Sequence, residues 1–182
     1  AHPSTERCTS AFKGRPQSVA GAPSVRLWGV RPHHPHWPVR VPYALQVPET
    51  SLWDNLATSA RRFPNKVALE FLGQATRYGE LVRQVEALAA RLHQWGVARG
   101  DRVLLDMQNC PQLVVAHFAI LRANAVVVPI NPMNRAEELK HYITDSDARV
   151  ALVTSDLAAD MAKASNELPA GTGLTRLVVT HY

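Results

Sequence analysis

The chain has 182 residues, 46% of them hydrophobic, enough for one domain that buries roughly 70% of the surface its unfolded form would expose. Its net charge of +5 is uneven: residues 1–50 hold six Lys/Arg against two Asp/Glu, and residues 51–182 hold fourteen against thirteen. The excess lies in the leading segment, no helix or face gathers basic residues for phosphates, and a nucleic-acid partner is not expected.

The longest apolar stretches, Leu113–Leu121 and Ala125–Ile130, fall far short of the ~18 residues of a membrane span. No charged start followed by an apolar core marks a secretory signal. A soluble protein of the cytoplasm is the expectation.

Residues 1–48 contain eight of the thirteen prolines and four of the eight histidines. They show neither helical nor strand periodicity, so an extended leader is expected, followed by an α/β segment over 49–182. From Ser51 the texture changes. Ser51 and Asp54 have capping-box spacing, and Leu52, Leu56, Ala60 and Phe63 then follow one helical face until Pro64 stops it. Lys66–Leu72 is a short strand, with Gly73-Gln74 as a hairpin turn into Ala75–Tyr78. Leu81, Val85, Leu88, Leu92 and Trp95 step by three and four, and Gly96 stands where a left-handed C-cap belongs.

Gly100-Asp101 turns the chain into a strand at Arg102–Met107. Leu113–Ala123 is a helix so apolar that both its sides should be covered, and Asn124 follows it as a left-handed cap. The valines of Ala125–Pro129 predict a buried strand. Asn134 with Glu137 caps a helix carrying Leu139, Tyr142 and Ile143. A strand at Ala148–Thr154, a helix opened by Ser155-Asp156 and running to about Glu167, and a strand at Thr175–Thr180 complete the chain. Alternating strands and helices from Arg102 onward predict an α/β fold with a mainly parallel sheet.

Ligands of such sheets bind in loops at the carboxyl ends of the strands. Gln108-Asn109-Cys110-Pro111 has no glycine for a phosphate, and neither has Ile130-Asn131-Pro132-Met133-Asn134. Gly171-Thr172-Gly173 precedes a strand, whereas a dinucleotide fingerprint follows one. Cys8 and Cys110 have no zinc spacing, and Cys110 is expected to be a small buried or capping residue. His33-His34-Pro35-His36 lacks a nearby Cys or carboxylate to complete a metal site. His93 and His117 sit in otherwise apolar helices, and Asp106 is a strand-end residue with no visible partner. The sequence therefore assigns no catalytic, cofactor-binding or metal-ligating residue.

The order of segments resembles the opening of the adenylate-forming superfamily. The resemblance is carried by Arg77-Tyr78-Gly79-Glu80-Leu81, Gly96-Val97, Gly100-Asp101-Arg102-Val103 and Asn109-Cys110-Pro111-Gln112. Ala119-Ile120-Leu121-Arg122-Ala123-Asn124-Ala125-Val126-Val127-Val128-Pro129-Ile130-Asn131-Pro132 resembles a further block. Glu138-Leu139 and the 145–150 stretch continue it, so the match runs from about Val47 to Tyr182. Arg77 stands where the family has Ser or Thr, and Asn124 where it has Gly. Asn131-Pro132 and the residues after it are similar to bacterial medium- or long-chain fatty acyl-CoA ligases.

The resemblance implies an incomplete N-terminal portion of the family's large domain. The parent enzyme would use ATP, Mg and CoA to convert a fatty acid to an acyl-adenylate and then a thioester. The family's phosphate loop and mobile lysine have no counterpart in these residues, so this chain by itself is expected to bind no cofactor and to be inactive. Its partner is then the remainder of the ligase. A stand-alone binding or scaffolding module, one half of a split enzyme, and an unrelated doubly wound nucleotide-binding protein are the alternatives. A last strand without a neighbour is expected to promote self-association through its exposed edge.

Overall fold

A computed structural model describes residues 34–42 and 47–181. The chain divides into two units, residues 1–47 and 48–182. Most of the expected leader, including Cys8 and His33, lies outside the described residues. In the first unit His34–His36 form a short 3-10 turn, and the Trp37 indole N–H donates to the Val41 carbonyl at 2.9 Å.

The second unit begins with helix α1, Leu52–Arg62. The backbone N–H and the hydroxyl of Ser51 both donate to Asp54 Oδ2 at 2.8 Å. This bond pulls the Asp54 carboxyl below its ordinary pKa. Only Leu56 and Ala60 of the expected face are buried. Leu52 is 59% and Phe63 56% exposed, and the inward aromatic is Trp53, packed against the core with the Arg122 guanidinium 5.5 Å from its ring.

Strands β1, Val67–Phe71, and β2, Gln74–Arg77, form an antiparallel hairpin in which Phe71 pairs with Gln74. The turn is therefore Leu72-Gly73, one residue earlier than the sequence suggested. Both turn residues have positive φ, +49° and +77°, the type I′ geometry that matches strand twist. Leucine is ill suited to left-handed backbone and is 85% exposed here. Leu72→Asn should stabilise the fold by about 0.5–1 kcal/mol, since asparagine tolerates that conformation. A thermal melt that moved downward would contradict this.

Helix α2, Tyr78–Gln94, buries Leu81, Val85, Ala89 and Leu92. Its end is a Schellman motif: Gly96 N–H donates to His93 O at 2.9 Å and Val97 N–H to Leu92 O at 3.0 Å. Gly96 has φ +88°. Helix α3, Pro111–Arg122, ends the same way, with Asn124 N–H on Leu121 O and Ala125 N–H on Ile120 O, both at 3.0 Å. Asn124 has φ +59°, as expected. Arg77, in place of a capping hydroxyl, makes no cap bond to α2 and its guanidinium donates instead to the Asn65 carbonyl.

Strands β3 (Arg102–Asp106), β4 (Val126–Pro129), β5 (Val150–Thr154) and β6 (Arg176–Thr180) form a parallel sheet in the order β4-β3-β5-β6. Helices α4, Ala136–Ser146, and α5, Ala158–Asn166, complete the alternation. The cap of α4 is one residue later than expected: Arg135 is the N-cap and its N–H donates to Glu138 Oε2 at 2.9 Å. Helix α5 begins after a turn at 155–157 instead of at Ser155 itself.

Alternation along the strands divides the core. Val103, Leu105, Val150 and Leu152 face α2 and α3, whereas Leu104, Ala151 and Val153 pack with Leu139, Ile143 and Met161 of α4 and α5. Right-handed crossovers require this split, because the path from β3 to β4 and the path from β4 to β5 run in opposite directions. One expectation, a buried strand at 125–129, fails because of position in the sheet. Strand β4 is an edge strand with Val126 46% exposed. Helix α3 is covered around its circumference, as expected: Ala116, Ala119 and Ile120 are buried, Leu113, Val114, Val115 and Phe118 are half-buried against the core, and Arg122 alone in the helix is exposed.

Candidate functional site

From β3 the chain steps outward to β4, then crosses back to β5, so the order reverses between β3 and β5. The crevice outside the carboxyl ends of those two strands is where open α/β sheets hold ligands. Asp106 ends β3 and Thr154 ends β5, and both are buried, at 2% and 0% exposure. Asp106 Oδ1 and Thr154 Oγ1 have no hydrogen-bond partner. Burial, followed by the nearby Asp156 and Asp160 carboxylates, pushes the Asp106 carboxyl up to about 6.

The loops around the crevice are built for backbone closure. Asn131 Oδ1 accepts the Met133 N–H at 3.1 Å, an Asx turn. Arg135, at the start of α4, is paired with Asp160 at 3.2 Å. Cys110 is buried at the N-cap of α3 and makes no side-chain cap bond. These residues do not fit a nucleoside triphosphate. Its oxygens need N–H groups and cations, whereas Asp106 is surrounded by the Asp156 and Asp160 charges and Arg135 is already paired with Asp160. No group of three or more His, Cys, Asp or Glu among the described residues is placed to hold a metal.

Arginines gather at the other end of the sheet, where the strands begin. Arg102 and Arg149 both pair with Asp147, at 3.7 and 3.4 Å, and Arg176 lies 4.9 Å from the Trp95 ring. Arg149 also donates to the Gly171 and Gly173 carbonyls. A Cβ at Gly173 would come within 2.7 Å of Ser165 O, so this glycine serves close packing against α5. His93 Nδ1 lies 3.1 Å from the Val97 carbonyl at the end of α2, and His117 stacks edge-on to Phe118 at 5.5 Å. The two histidines, Cys110 and Asp106 are not brought together into one constellation.

Beside the crevice, on the α2–α3 face, lies a cleft of about 440 Å³ lined by Leu88, Val115, Leu152 and Val178, with Gln112 and Thr180 among its polar members. Gln112 Nε2 donates to the His181 carbonyl at 2.8 Å, while its buried Oε1 has no partner. Sequence patterning did not single out Gln112 or Thr154. Neither side chain breaks a period, and their significance arises only where β5, β6 and α3 converge.

An open parallel α/β sheet with a reversal point defines the α/β class, and the fold by itself assigns it no chemistry. The AMP-binding enzyme family profile matches residues 56–180, and the chain belongs to that family. A long-chain-fatty-acid–CoA ligase of Bacillus subtilis is 34% identical over 127 residues, covering 70% of this chain and 22% of the relative. A salicyl-AMP ligase / salicyl-S-ArCP synthetase of Mycobacterium tuberculosis is 38% identical over 131 residues, covering 68% of this chain and 23% of the relative. Among solved structures, a long-chain-fatty-acid-CoA ligase of Archaeoglobus fulgidus matches with a TM-score of 0.66 and 28% identity, over 75% of this chain and 28% of that one. The match thus spans 22–28% of the length of these relatives.

Proposed function

We propose that residues 49–182 are the opening α/β segment of the large domain of an ATP-dependent fatty acyl-CoA ligase, preceded by a separate Pro/His-rich leader over 1–48. The observation that carries this reading is a folded family scaffold whose reversal point bears a buried, unpaired carboxylate at Asp106 in place of phosphate-binding groups. In the whole enzyme, ATP with magnesium would activate a fatty acid as its adenylate, and the thiol of CoA would then displace AMP. No step of that chemistry is assigned to residues of this chain. Their role is positional: β3 and β5 fix the floor of the crevice, and α2 and α3 cover one face of it.

The chain by itself is expected to be inactive and to bind neither ATP, magnesium nor CoA. Pyrophosphate exchange into ATP with a C12 or C16 fatty acid measures this directly, and exchange above the buffer rate by the purified chain would refute it. The fatty acid is preferred over an aryl acid on the sequence of Asn131-Pro132 and the residues that follow it to Leu139. A full-length protein that adenylated salicylate and not palmitate would reverse that preference.

The alternative of a binding module or split-enzyme half keeps the same scaffold and places the chemistry on another polypeptide. With its β6 edge open, the isolated chain is expected to self-associate as concentration rises. Sedimentation velocity from micromolar to millimolar protein would show a shift to larger species, and a constant monomer would count against it.

A further inference from the structure

We propose that Arg102 and Arg149, at the amino ends of β3 and β5, form a binding site for a small phosphate-type dianion, and that Asp147 holds the place of this anion in its absence. The site lies at the opposite end of the sheet from the crevice, and it does not depend on the ligase reading.

The parallel register brings the two arginines together. Val103 pairs with Val150, so Arg102 and Arg149, each one residue earlier, stand side by side where adjacent strands begin. Both belong to the strand face of Leu104 and Ala151, the side covered by α4. Like charges side by side on neighbouring strands repel, and an anion between them relieves the repulsion. Helix α4 ends here, and Asp147 follows it in left-handed backbone at φ +51°. Its carboxylate lies 3.7 Å from Arg102 Nη2 and 3.4 Å from Arg149 Nη2. Both distances exceed the roughly 2.7–3.2 Å of an N–H···O bond. One monoanion thus faces two cations without a close bond to either.

The two guanidinium groups are fixed from behind. Arg102 Nε donates to the Ser146 carbonyl at the end of α4, and Arg149 Nη1 donates to the Gly171 carbonyl. Each fork keeps further N–H groups beyond the nitrogen so used. Both arginines line a notch of about 310 Å³, together with Trp95, Asp101, Asp147 and Thr175. The Asp101 carboxylate is engaged by the Ala98 N–H at 2.9 Å, and Arg176, over the Trp95 ring at 4.9 Å, adds positive charge nearby. Asp147 is 68% exposed, and no hydrogen bond to a described residue holds its carboxylate, so it can turn to solvent and yield its place.

Fixed guanidinium forks that converge on one point suit phosphate oxygens. A dianion matches two arginines. A carboxylate from another molecule would offer no more charge than Asp147, which is already tethered beside them. The more highly charged ATP and CoA would set surplus negative charge against Asp101 and Asp147. The ligand is therefore a small dianion, of which inorganic phosphate is the simplest. The two arginines are far apart in the sequence, and for that reason no basic run announces the site.

The dilute 15N-labelled chain titrated with inorganic phosphate at about pH 7.5, where phosphate is mostly a dianion, provides the test. Sodium chloride at equal ionic strength is the blank. The backbone amides of residues 147–149 should shift saturably, with a dissociation constant of about 1 mM, and Arg149→Gln should weaken binding at least tenfold. A shift that sodium chloride reproduces, or that Arg149→Gln leaves unchanged, would mean an adventitious ion only and would overturn the proposal. Tighter binding of ATP than of phosphate would overturn it too.

A second variant covers the case in which Arg149→Gln does not fold. Asparagine tolerates left-handed backbone, and two exposed ion pairs contribute little to stability, so Asp147→Asn should fold normally. Without its internal competitor the site should bind phosphate at least threefold more tightly. Equal or weaker binding would show that the arginines serve only to hold the end of α4 and the 171–173 turn, and the proposal would fall.

Discussion

Replacing Asp106 by asparagine is expected to abolish a fall in stability between about pH 4 and pH 6. The folded carboxyl titrates at about 6 against an ordinary value of 3.8, so the native state holds a proton that the unfolded chain has released. Stability from this group is fully present below the unfolded pKa and is lost as pH rises through the folded one. A difference of about two units corresponds to about 3 kcal/mol at neutral pH. The physical cause is burial first and the Asp156 and Asp160 charges second, with no donor on Oδ1 to offset them. Asp160 is itself paired with Arg135 at 3.2 Å. Asp54 and Glu167 have lowered values and act oppositely, losing stability as pH falls. The variant isolates the Asp106 contribution, because it carries those groups unchanged. Urea unfolding of both proteins from pH 4 to pH 8 decides the matter. Parallel profiles would sink the idea, whereas a wild-type curve that falls away from a flatter variant curve would support it.

Leu104→Ala is expected to cost about 3 kcal/mol, in the range for truncating a fully buried leucine. Leu104 lies on the central strand β3, flanked by β4 and β5, with 0% exposure. It packs into the layer of Leu139, Ile143 and Met161, where sheet and helices leave little room to collapse around a void. Against a total stability of about 5–15 kcal/mol for a domain, that is a large share, and it would lower the urea midpoint by about 1–2 M. Leu52→Ala is the matched control. Periodicity placed Leu52 on the core face of α1, but it is 59% exposed, so its truncation should change stability by less than about 0.5 kcal/mol. Equal losses at the two positions would mean that the described packing is wrong.

Features that depend on neighbours within one helical turn were legible in the chain itself. The apolar spacing of α2 and the two Schellman ends at Gly96 and Asn124 are of this kind, because each is decided by backbone sterics and bonds spanning five residues. The alternation of strands and helices likewise determined the α/β class and the parallel sheet, and with the ordered blocks it determined the family. One local feature was read a residue out of place. The hairpin turn is Leu72-Gly73 because strand pairing set its register and forced a leucine into left-handed backbone.

Tertiary structure alone decided the order of the sheet, and with it everything the candidate site depends on. A run of valines has the same pattern in a central strand and at an edge. Only the pairing of β4 with β3, and with no other strand among the described residues, makes Val126 half-exposed. The burial of Asp106 depends on β5, more than forty residues away, and its raised pKa on Asp156 and Asp160 beyond it. Gln112 and His181 meet across 69 residues. Burial, desolvation and unmade hydrogen bonds are properties of what lies opposite a residue in space, and no spacing along a chain specifies that.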